Sequence, residues 1–320
     1  MPFLPVGGQA VIEGVMMRSP TRVAVAVRRA DGSVALLERT FSSITRRIKP
    51  LGLPVVRGAV SLFETLFLGI TALNFSADEA AKTMPSPADA AGQAPAPAKG
   101  GGLSGVAQGL AMIVSFGLGL LLFVVLPARL AGWLGFRDRI GFGLVDGAFR
   151  LMAFVLYLLL ISQWKEMRRV LGYHGAEHKA IHALEAGSPL TPERVQSFSR
   201  FHPRCGTSFL FLVVVVSILA FTLIGKPRGV GDHLLRIACM PLIAGVAFEF
   251  IRFSGKHSDR PLVRALVWPG LQFQRLTTRE PDLDMCGIAI QALERVRFDE
   301  AIVALERQSG PVRAEVAFIQ

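Results

Sequence analysis

Long uninterrupted apolar runs dominate the chain beyond its first hundred residues and predict membrane-spanning helices. The clearest run covers residues 106–126 and contains no charged side chain. With a rise of about 1.5 Å per residue, a helix of this length crosses a hydrocarbon core of about 30 Å. Three further runs are mainly apolar, although the first and the last carry charged residues, and they bring the predicted number of spans to four: residues 143–162, 208–224 and 234–251.

Another apolar segment, residues 54–75, predicts a helix that is nearly long enough to span but carries Arg57 and Glu64 on one face. A full crossing would move the basic N-terminal block to the other side of the membrane. The sequence therefore favours an interfacial or partly inserted helix, with a fifth span as the alternative. The Pro/Ala/Gly-rich stretch that follows has too little apolar content to fold and predicts a linker.

Strict alternation appears near the N-terminus, where Val23, Val25 and Val27 are separated by small residues. The dipeptide Asp31-Gly32 then supplies a turn signal, so residues 23–38 predict a β-hairpin. Close to the other end, residues 288–305 predict an amphipathic helix that packs on a cytoplasmic domain.

These patterns predict a mainly α-helical, polytopic membrane protein with about four transmembrane helices, a small N-terminal β-hairpin region and cytoplasmic helices. The predicted parts are a cytoplasmic β-rich region (1–50), an interfacial or partly inserted helix (51–75), a disordered linker (76–105), a transmembrane core (106–253) with a cytoplasmic insert (163–207), and a cytoplasmic C-terminal region (254–320).

Composition supports this class, because 51% of the 320 residues are hydrophobic and only 18% are charged. The net charge of +11 comes from basic residues concentrated in 18–49, 165–204 and 252–313. Four crossings put all three segments on one side, which the positive-inside rule makes cytoplasmic. We therefore expect a lipid bilayer rather than a nucleic acid as the partner of the basic surface, both termini in the cytoplasm, and no removable signal peptide.

Candidate chemistry is concentrated in the segment YHGAEHKAIHALE, residues 173–185. His174, Glu177 and His178 form the pattern H-x-x-E-H, the inverted form of the motif of thermolysin-type zinc proteases. Two histidines four residues apart on a helix can reach one metal ion, and the glutamate is positioned to take a proton from water. His182 lies two turns from His174, which is too far for both to bind the same ion.

Three further residues are candidate ligands at the same membrane boundary: His202, Cys205 and Glu249. His174, His178 and Glu249 with Glu177 as base would form a hydrolytic zinc site. His174, His178, His202 and Cys205 would instead form a closed structural site. The competing interpretations are an ion pair of Glu249 with Arg252 and an inert, buried thiol at Cys205.

Five segments in order resemble the YqhQ-type bacterial membrane family: GGQAVIEGVMMRSP, PVVRGAVSLFETLFLG, YHGAEHKAIHALE, HPRCGTSFL and PGLQFQRLTTREPD. The family is catalogued as a domain of unknown function and as predicted metal-dependent enzymes. The resemblance implies a multi-pass protein of the bacterial inner membrane. It also implies a metal site carried by residues 173–179 and 202–205, and it implies no substrate.

The sequence thus predicts a metal-dependent membrane enzyme, a zinc-type hydrolase at the cytoplasmic face that acts on a lipid or a membrane peptide. Glu177 is the predicted catalytic residue, and the predicted ligands of a divalent metal, zinc, are His174, His178, Glu249, His202 and Cys205. The alternative is a non-catalytic scaffold or assembly factor with a structural metal site.

Overall fold

A computed structural model describes residues 6–82 and 105–297, apart from 137, 204, 258 and 259. The strands are β1 (Gly7–Val11), β2 (Gly14–Arg18), β3 (Arg22–Arg28) and β4 (Val34–Thr40). The helices are α1 (Ile44–Arg47), α2 (Val56–Lys82), α3 (Gly105–Leu120), α4 (Leu126–Trp133), α5 (Arg139–Ile161), α6 (Lys165–Glu185), α7 (Pro192–Gln196), α8 (Gly206–Ile224), α9 (Val230–Ala238), α10 (Met240–Lys256), α11 (Pro261–Thr277) and α12 (Leu283–Arg297), with a 3₁₀ turn at Lys49–Gly52 and a π-helical turn at Leu121–Val125.

Five helical stretches are long and apolar enough to cross a membrane, judged by length and composition. They are Val56–Lys82, Gly109–Trp133, Arg139–Ile161, Gly206–Ile224 and Val230–Gly255. The last four correspond to the four spans predicted from the sequence. The first is the helix for which the sequence favours an interfacial position, so the number of crossings stays a prediction.

The N-terminal strands form one antiparallel sheet in the order β1-β2-β3-β4. The predicted hairpin is β3 and β4, and Gly32 in its turn has the positive φ of 83° that glycine adopts without strain. The sequence pattern did not predict β1 and β2, which pair through Val11 and Gly14 around a two-residue turn. Glu13 in this turn has a φ of 51°, a conformation for which its residue type gives no signal.

Both faces of this sheet are covered, so it forms the centre of a folded unit. Val23, Val25 and Val27 face α2, while Ala24 and Ala26 face α6 and α12 on the other side. The second face joins a core that contains Tyr173, Ile181, Cys286, Leu293 and neighbouring residues. The N-terminal strands, the predicted insert and the C-terminal helix, which are far apart in sequence, therefore share one hydrophobic core.

Helix α2 continues to Lys82, so residues 76–82 belong to a helix and not to the predicted linker. The extra turns are stabilised by contacts that the polar sequence hides: Ser76 is fully buried, and buried Glu79 accepts a hydrogen bond of 2.7 Å from Arg29. Similarly, α12 begins at Leu283 rather than at residue 288. The remaining parts of both predictions, 83–104 and 298–305, lie outside the described residues.

A buried ion cluster joins α5 to α9 beside the C-terminal end of α8. Asp146 accepts hydrogen bonds from Arg150 at 3.1 Å and from Arg236 at 3.2 Å. Arg236 has no exposed surface, donates to the carbonyl of Gly225 at 2.7 Å and stacks over Phe221. One carboxylate thus balances two guanidinium groups in an apolar environment, where an unpaired charge is very unfavourable.

We therefore predict that Asp146→Asn strongly destabilises the protein, because two buried cations lose their shared anion. The free energy of unfolding in detergent should fall by about 3 kcal/mol or more. Chemical denaturation followed by circular dichroism measures it. Exposed Asp78 on α2 supplies the control: Asp78→Asn should change the value by less than about 0.5 kcal/mol. Equal effects of the two variants would contradict the assignment.

Candidate metal centre

Three potential metal ligands converge where α6 meets the start of α8. His174 and His178 lie one turn apart on α6, with ring centroids separated by 4.4 Å. Cys205 is the N-cap residue of α8, and its Sγ lies 3.2 Å from Nε2 of His174. One donor atom from each of the three residues lies within 4.8 Å of the other two. The structure thus brings the H-x-x-E-H helix and Cys205 to the same place.

Backbone carbonyls fix the orientation of both imidazoles. The Nδ1 atom of His174 lies 2.7 Å from the carbonyl oxygen of Thr277, and that of His178 lies 2.5 Å from the carbonyl oxygen of Arg200. A carbonyl oxygen can only accept, so each Nδ1 carries the proton. In the neutral ring the Nε2 lone pair is then the one that faces the centre, which is the arrangement found for metal-binding histidines.

The loop that carries Arg200 and Cys205 is held in place by α11. Gln274, which is fully buried, accepts from the backbone N–H of His202 and donates to its carbonyl, both at 2.7 Å. Arg200 donates to the carbonyl of Thr278 at 3.1 Å. The carbonyls that orient the imidazoles are therefore positioned by contacts between segments about 75 residues apart.

Glu177 projects from α6 toward β1, where its carboxylate packs closely against the backbone of Gly8. Its Oε2 atom and the Nε2 atom of His178 are buried and have no hydrogen-bond partner among the described residues. Unpartnered buried polar atoms are rare in folded proteins and call for an explanation. Here two of them belong to adjacent residues of one motif.

The electrostatics of the site favour a thiolate. Burial alone would raise the pKa of the Cys205 thiol, but the nearby His178 and His174 hold this pKa well below its usual value. Burial alone would lower the pKa of His174, but the charge and hydrogen bond of Cys205 outweigh this effect and raise the pKa to about 9. Burial raises the pKa of Glu177 above its usual value. The site therefore combines a thiolate with a carboxyl group that holds a proton readily.

A second buried group, which the sequence did not predict, lies next to the first: His182, Glu185 and His202. The ring of His202 is 4.6 Å from that of His182 and 5.7 Å from that of His178. His202 contacts Glu185 at 3.4 Å, and His182 bonds the carbonyl of Phe201 at 2.9 Å. Burial and His178 lower the pKa of His202 to about 3. The structure thus separates His202 from the set of His174, His178 and Cys205.

Glu249, a predicted ligand, belongs to neither group. Its carboxylate forms a two-pronged ion pair with Arg57 of α2, at 2.6 and 2.5 Å, and accepts from the backbone N–H of Val55 at 3.4 Å. The sequence spacing suggested Arg252 as the ion-pair partner, but Arg57 takes this position because Gly58 packs directly on Gly245 and brings α2 against α10. Glu249 joins two helices and is removed from the ligand set.

The donor set fits a zinc ion better than a hard cation. One thiolate and two imidazole nitrogens are typical zinc ligands, whereas Mg²⁺ and Ca²⁺ prefer oxygen. Tetrahedral zinc with the usual bond lengths separates a sulfur and a nitrogen ligand by about 3.6 Å. The observed 3.2 Å between Cys205 and His174 lies within a small adjustment of this value.

Comparison with known proteins identifies the family. The model of the protein family of unknown function DUF1385 matches residues 53–298, so the chain belongs to this family. The chain is 32% identical over 306 residues to the uncharacterized protein YqhQ of Bacillus subtilis (strain 168), which covers 92% of this chain and 93% of that protein. No solved structure matches the chain.

The contact between Gly8 and Glu177 generates a prediction with a matched control. A Cβ atom at Gly8 would lie 2.6 Å from the carbonyl oxygen of Met16 and 2.9 Å from Cδ of Glu177, so Gly8→Ala must displace β1. A Cβ at Gly7 meets no atom within 4 Å. Gly8→Ala should lower the free energy of unfolding by about 2 kcal/mol, and Gly7→Ala should leave it nearly unchanged. Denaturant titration measures both, and equal values would refute the tight contact.

Proposed function

We propose that this DUF1385 protein is a membrane-embedded, metal-dependent enzyme, a zinc-type hydrolase with His174, His178 and Cys205 as metal ligands and Glu177 as general base. The observation that carries the proposal is the pair of unpartnered buried atoms, Nε2 of His178 and Oε2 of Glu177. A metal ion and a water molecule beside it would satisfy both. A hydrated, inert helix would leave neither atom buried without a partner.

Three protein ligands leave the fourth position of a tetrahedral ion open, as catalytic zinc sites require. When bound, zinc supplies Lewis acidity to the site. His174 and His178 hold their positions through the carbonyls of Thr277 and Arg200. Glu177 accepts a proton from water at Oε2 and transfers it to the leaving group, a role for which a carboxyl group with a raised pKa is suited.

We further propose that the site lies at the cytoplasmic face of the bacterial inner membrane, with both termini in the cytoplasm. Cys205 caps one end of α8 and the buried ion cluster lies beside the other, so this 19-residue helix covers about 28 Å between them. This length matches the hydrocarbon core. A site at such a boundary suits a substrate that enters from the bilayer, either a lipid or a membrane peptide.

The contacts of α2 support four crossings, with α2 at the membrane interface, better than five. The start of α2 packs on α10, but its later turns lie on the sheet, with Gly69 against Gln9 and Glu79 paired with Arg29. A helix that places its second half on a folded sheet cannot expose this half to lipid all around. Its outward face still carries Phe63, Leu66 and Phe67, all exposed. Such a helix lies in the membrane surface.

A thiol hydrolase is the second candidate, because Cys205 at the start of α8 and His174 of α6 also resemble an activated nucleophile with its base. This candidate leaves His178 Nε2 and Glu177 Oε2 without a role. A scaffold with a structural metal, the remaining alternative, requires a closed sphere of four ligands. Among the described residues, only three candidate ligands meet at the proposed zinc site: His174, His178 and Cys205.

Elemental analysis of the detergent-purified, full-length protein tests the metal assignment. We expect about one zinc ion per chain in the wild type and a loss of it in His178→Ala. His257→Ala, which changes a histidine at the end of α10, should retain the metal. Glu177→Gln should also retain it, since this residue is not a ligand. Full zinc content in His178→Ala would contradict the assignment.

Thermal unfolding of His174→Ala, His178→Ala and His257→Ala separates the catalytic from the structural alternative. A catalytic site predicts that His174→Ala and His178→Ala lose the metal yet remain folded. In a structural site the binding free energy is part of the folding free energy, so both variants would fail to fold. A collapse of both variants, with His257→Ala intact, would therefore favour the scaffold.

Alkylation with iodoacetamide separates the metal site from the thiol nucleophile. If Cys205 is a zinc ligand, zinc-loaded protein should resist alkylation at Cys205, and chelator treatment should expose a fast-reacting thiolate. Buried Cys286 serves as an internal control, because burial raises its pKa to about 11. Mass spectrometry of the peptides measures both sites. Equal, fast modification of Cys205 with and without zinc would favour the thiol hydrolase.

A further inference from the structure

A cavity of about 190 Å³ lies between the sheet and α2, on the face of the sheet opposite the candidate metal centre. Its sheet wall includes Met16, Val25 and Leu37, and its helix wall includes Leu68 and Ala72. Apart from Arg39, Thr40 and Thr71, its lining is apolar. Nothing in the proposed hydrolase uses this space, since Glu177 contacts β1 through Gly8 and the metal ligands lie beyond it.

The mouth of the cavity differs from its interior. Arg39 lines it and has no ion pair or hydrogen bond from its side chain among the described residues. Glu38, its neighbour, instead pairs with Arg295 on the other face of the sheet. An apolar cavity with one guanidinium at its mouth is complementary to an amphiphile, whose apolar chain would fill the cavity and whose anionic head would contact the guanidinium.

The position of the mouth indicates where such an amphiphile comes from. Phe67 lines the cavity and is 73% exposed, and Phe63 one turn earlier is 59% exposed. These side chains form the outward apolar face of α2, which lies in the membrane surface in the arrangement proposed above. The cavity thus opens beside the helix face that meets lipid. A cavity of 190 Å³ is smaller than a site for a whole drug-sized ligand, and it suits a single chain.

We propose that this cavity binds one acyl chain of an anionic phospholipid, with the lipid phosphate against Arg39. The apolar walls take the chain, and the guanidinium donates to the phosphate. The inference rests on the interfacial position proposed for α2 but not on the metal chemistry. A protein without zinc can therefore still bind the lipid, and the two proposals can fail separately.

The test uses full-length protein in phosphatidylcholine nanodiscs that contain a small fraction of phosphatidylglycerol with a photoreactive diazirine on one acyl chain. After illumination, mass spectrometry locates the labelled residues. We expect labels on cavity residues such as Met16 and Leu68, in protein with and without zinc. Arg39→Gln should reduce this labelling about fivefold, because one basic residue near a membrane contributes on the order of 1 kcal/mol.

Two variants serve as controls and comparisons. Arg47→Gln changes an exposed arginine on α1 that does not line the cavity. It should leave the labelling unchanged. Thr71→Phe fills the mouth from α2 and should reduce labelling inside the cavity at least as much as Arg39→Gln.

Several results would overturn the proposal. One is labelling confined to the outward face of α2, with no label on Met16 or Leu68. Equal labelling by diazirine phosphatidylcholine, or equal labelling in Arg39→Gln and wild type, would show that the cavity does not select an anionic head group. Stronger labelling by a diazirine fatty acid than by phosphatidylglycerol would replace the phospholipid with a free fatty acid. Arg39 is at the surface, so its variant folds even where Thr71→Phe does not.

Discussion

The candidate centre depends on two hydrogen bonds from imidazoles to backbone carbonyls. Thr277 and Arg200 accept from Nδ1 of His174 and His178, and this fixes which nitrogen of each ring faces Cys205. Neither carbonyl is on the helix that carries the histidines. The site exists only when α11 and the loop before α8 are in place, so the chemistry of the motif is a property of the assembled fold and not of the helix alone.

The same dependence explains why the sheet belongs to the site. Glu177 packs on Gly8 of the sheet's edge strand β1, and the turn after β1 holds Glu13 against Arg169 and Tyr173 of α6. On the opposite face the sheet carries α2, whose first turn is tied to α10 by the Arg57–Glu249 ion pair. A continuous series of contacts thus runs from the long apolar helix α10 through α2 and the sheet to the proposed base.

Much of this architecture was predictable, because its signals are local. Apolar runs predicted the long helices, valine alternation with Asp31-Gly32 predicted the β3–β4 hairpin, and the spacing of His174, Glu177 and His178 predicted that they share a helix face. What the sequence could not reveal depends on distant partners. Glu13 adopts a left-handed turn because α6 binds its carboxylate, so β1 and β2 gave no ordinary hairpin signal. The same reason applies to Glu249, whose partner is 192 residues away, and to Glu185, which becomes notable only when His202 folds beside it.

X-ray absorption spectroscopy of the zinc-loaded protein tests the central claim most directly, because it counts the atoms bound to the ion. The account predicts one sulfur at about 2.3 Å, two imidazole nitrogens at about 2.0 Å and one further light atom. In Cys205→Ser the sulfur contribution should disappear while the imidazole signals remain. A sphere without sulfur in the wild type, or one in which Cys205→Ser changes nothing, would contradict the account.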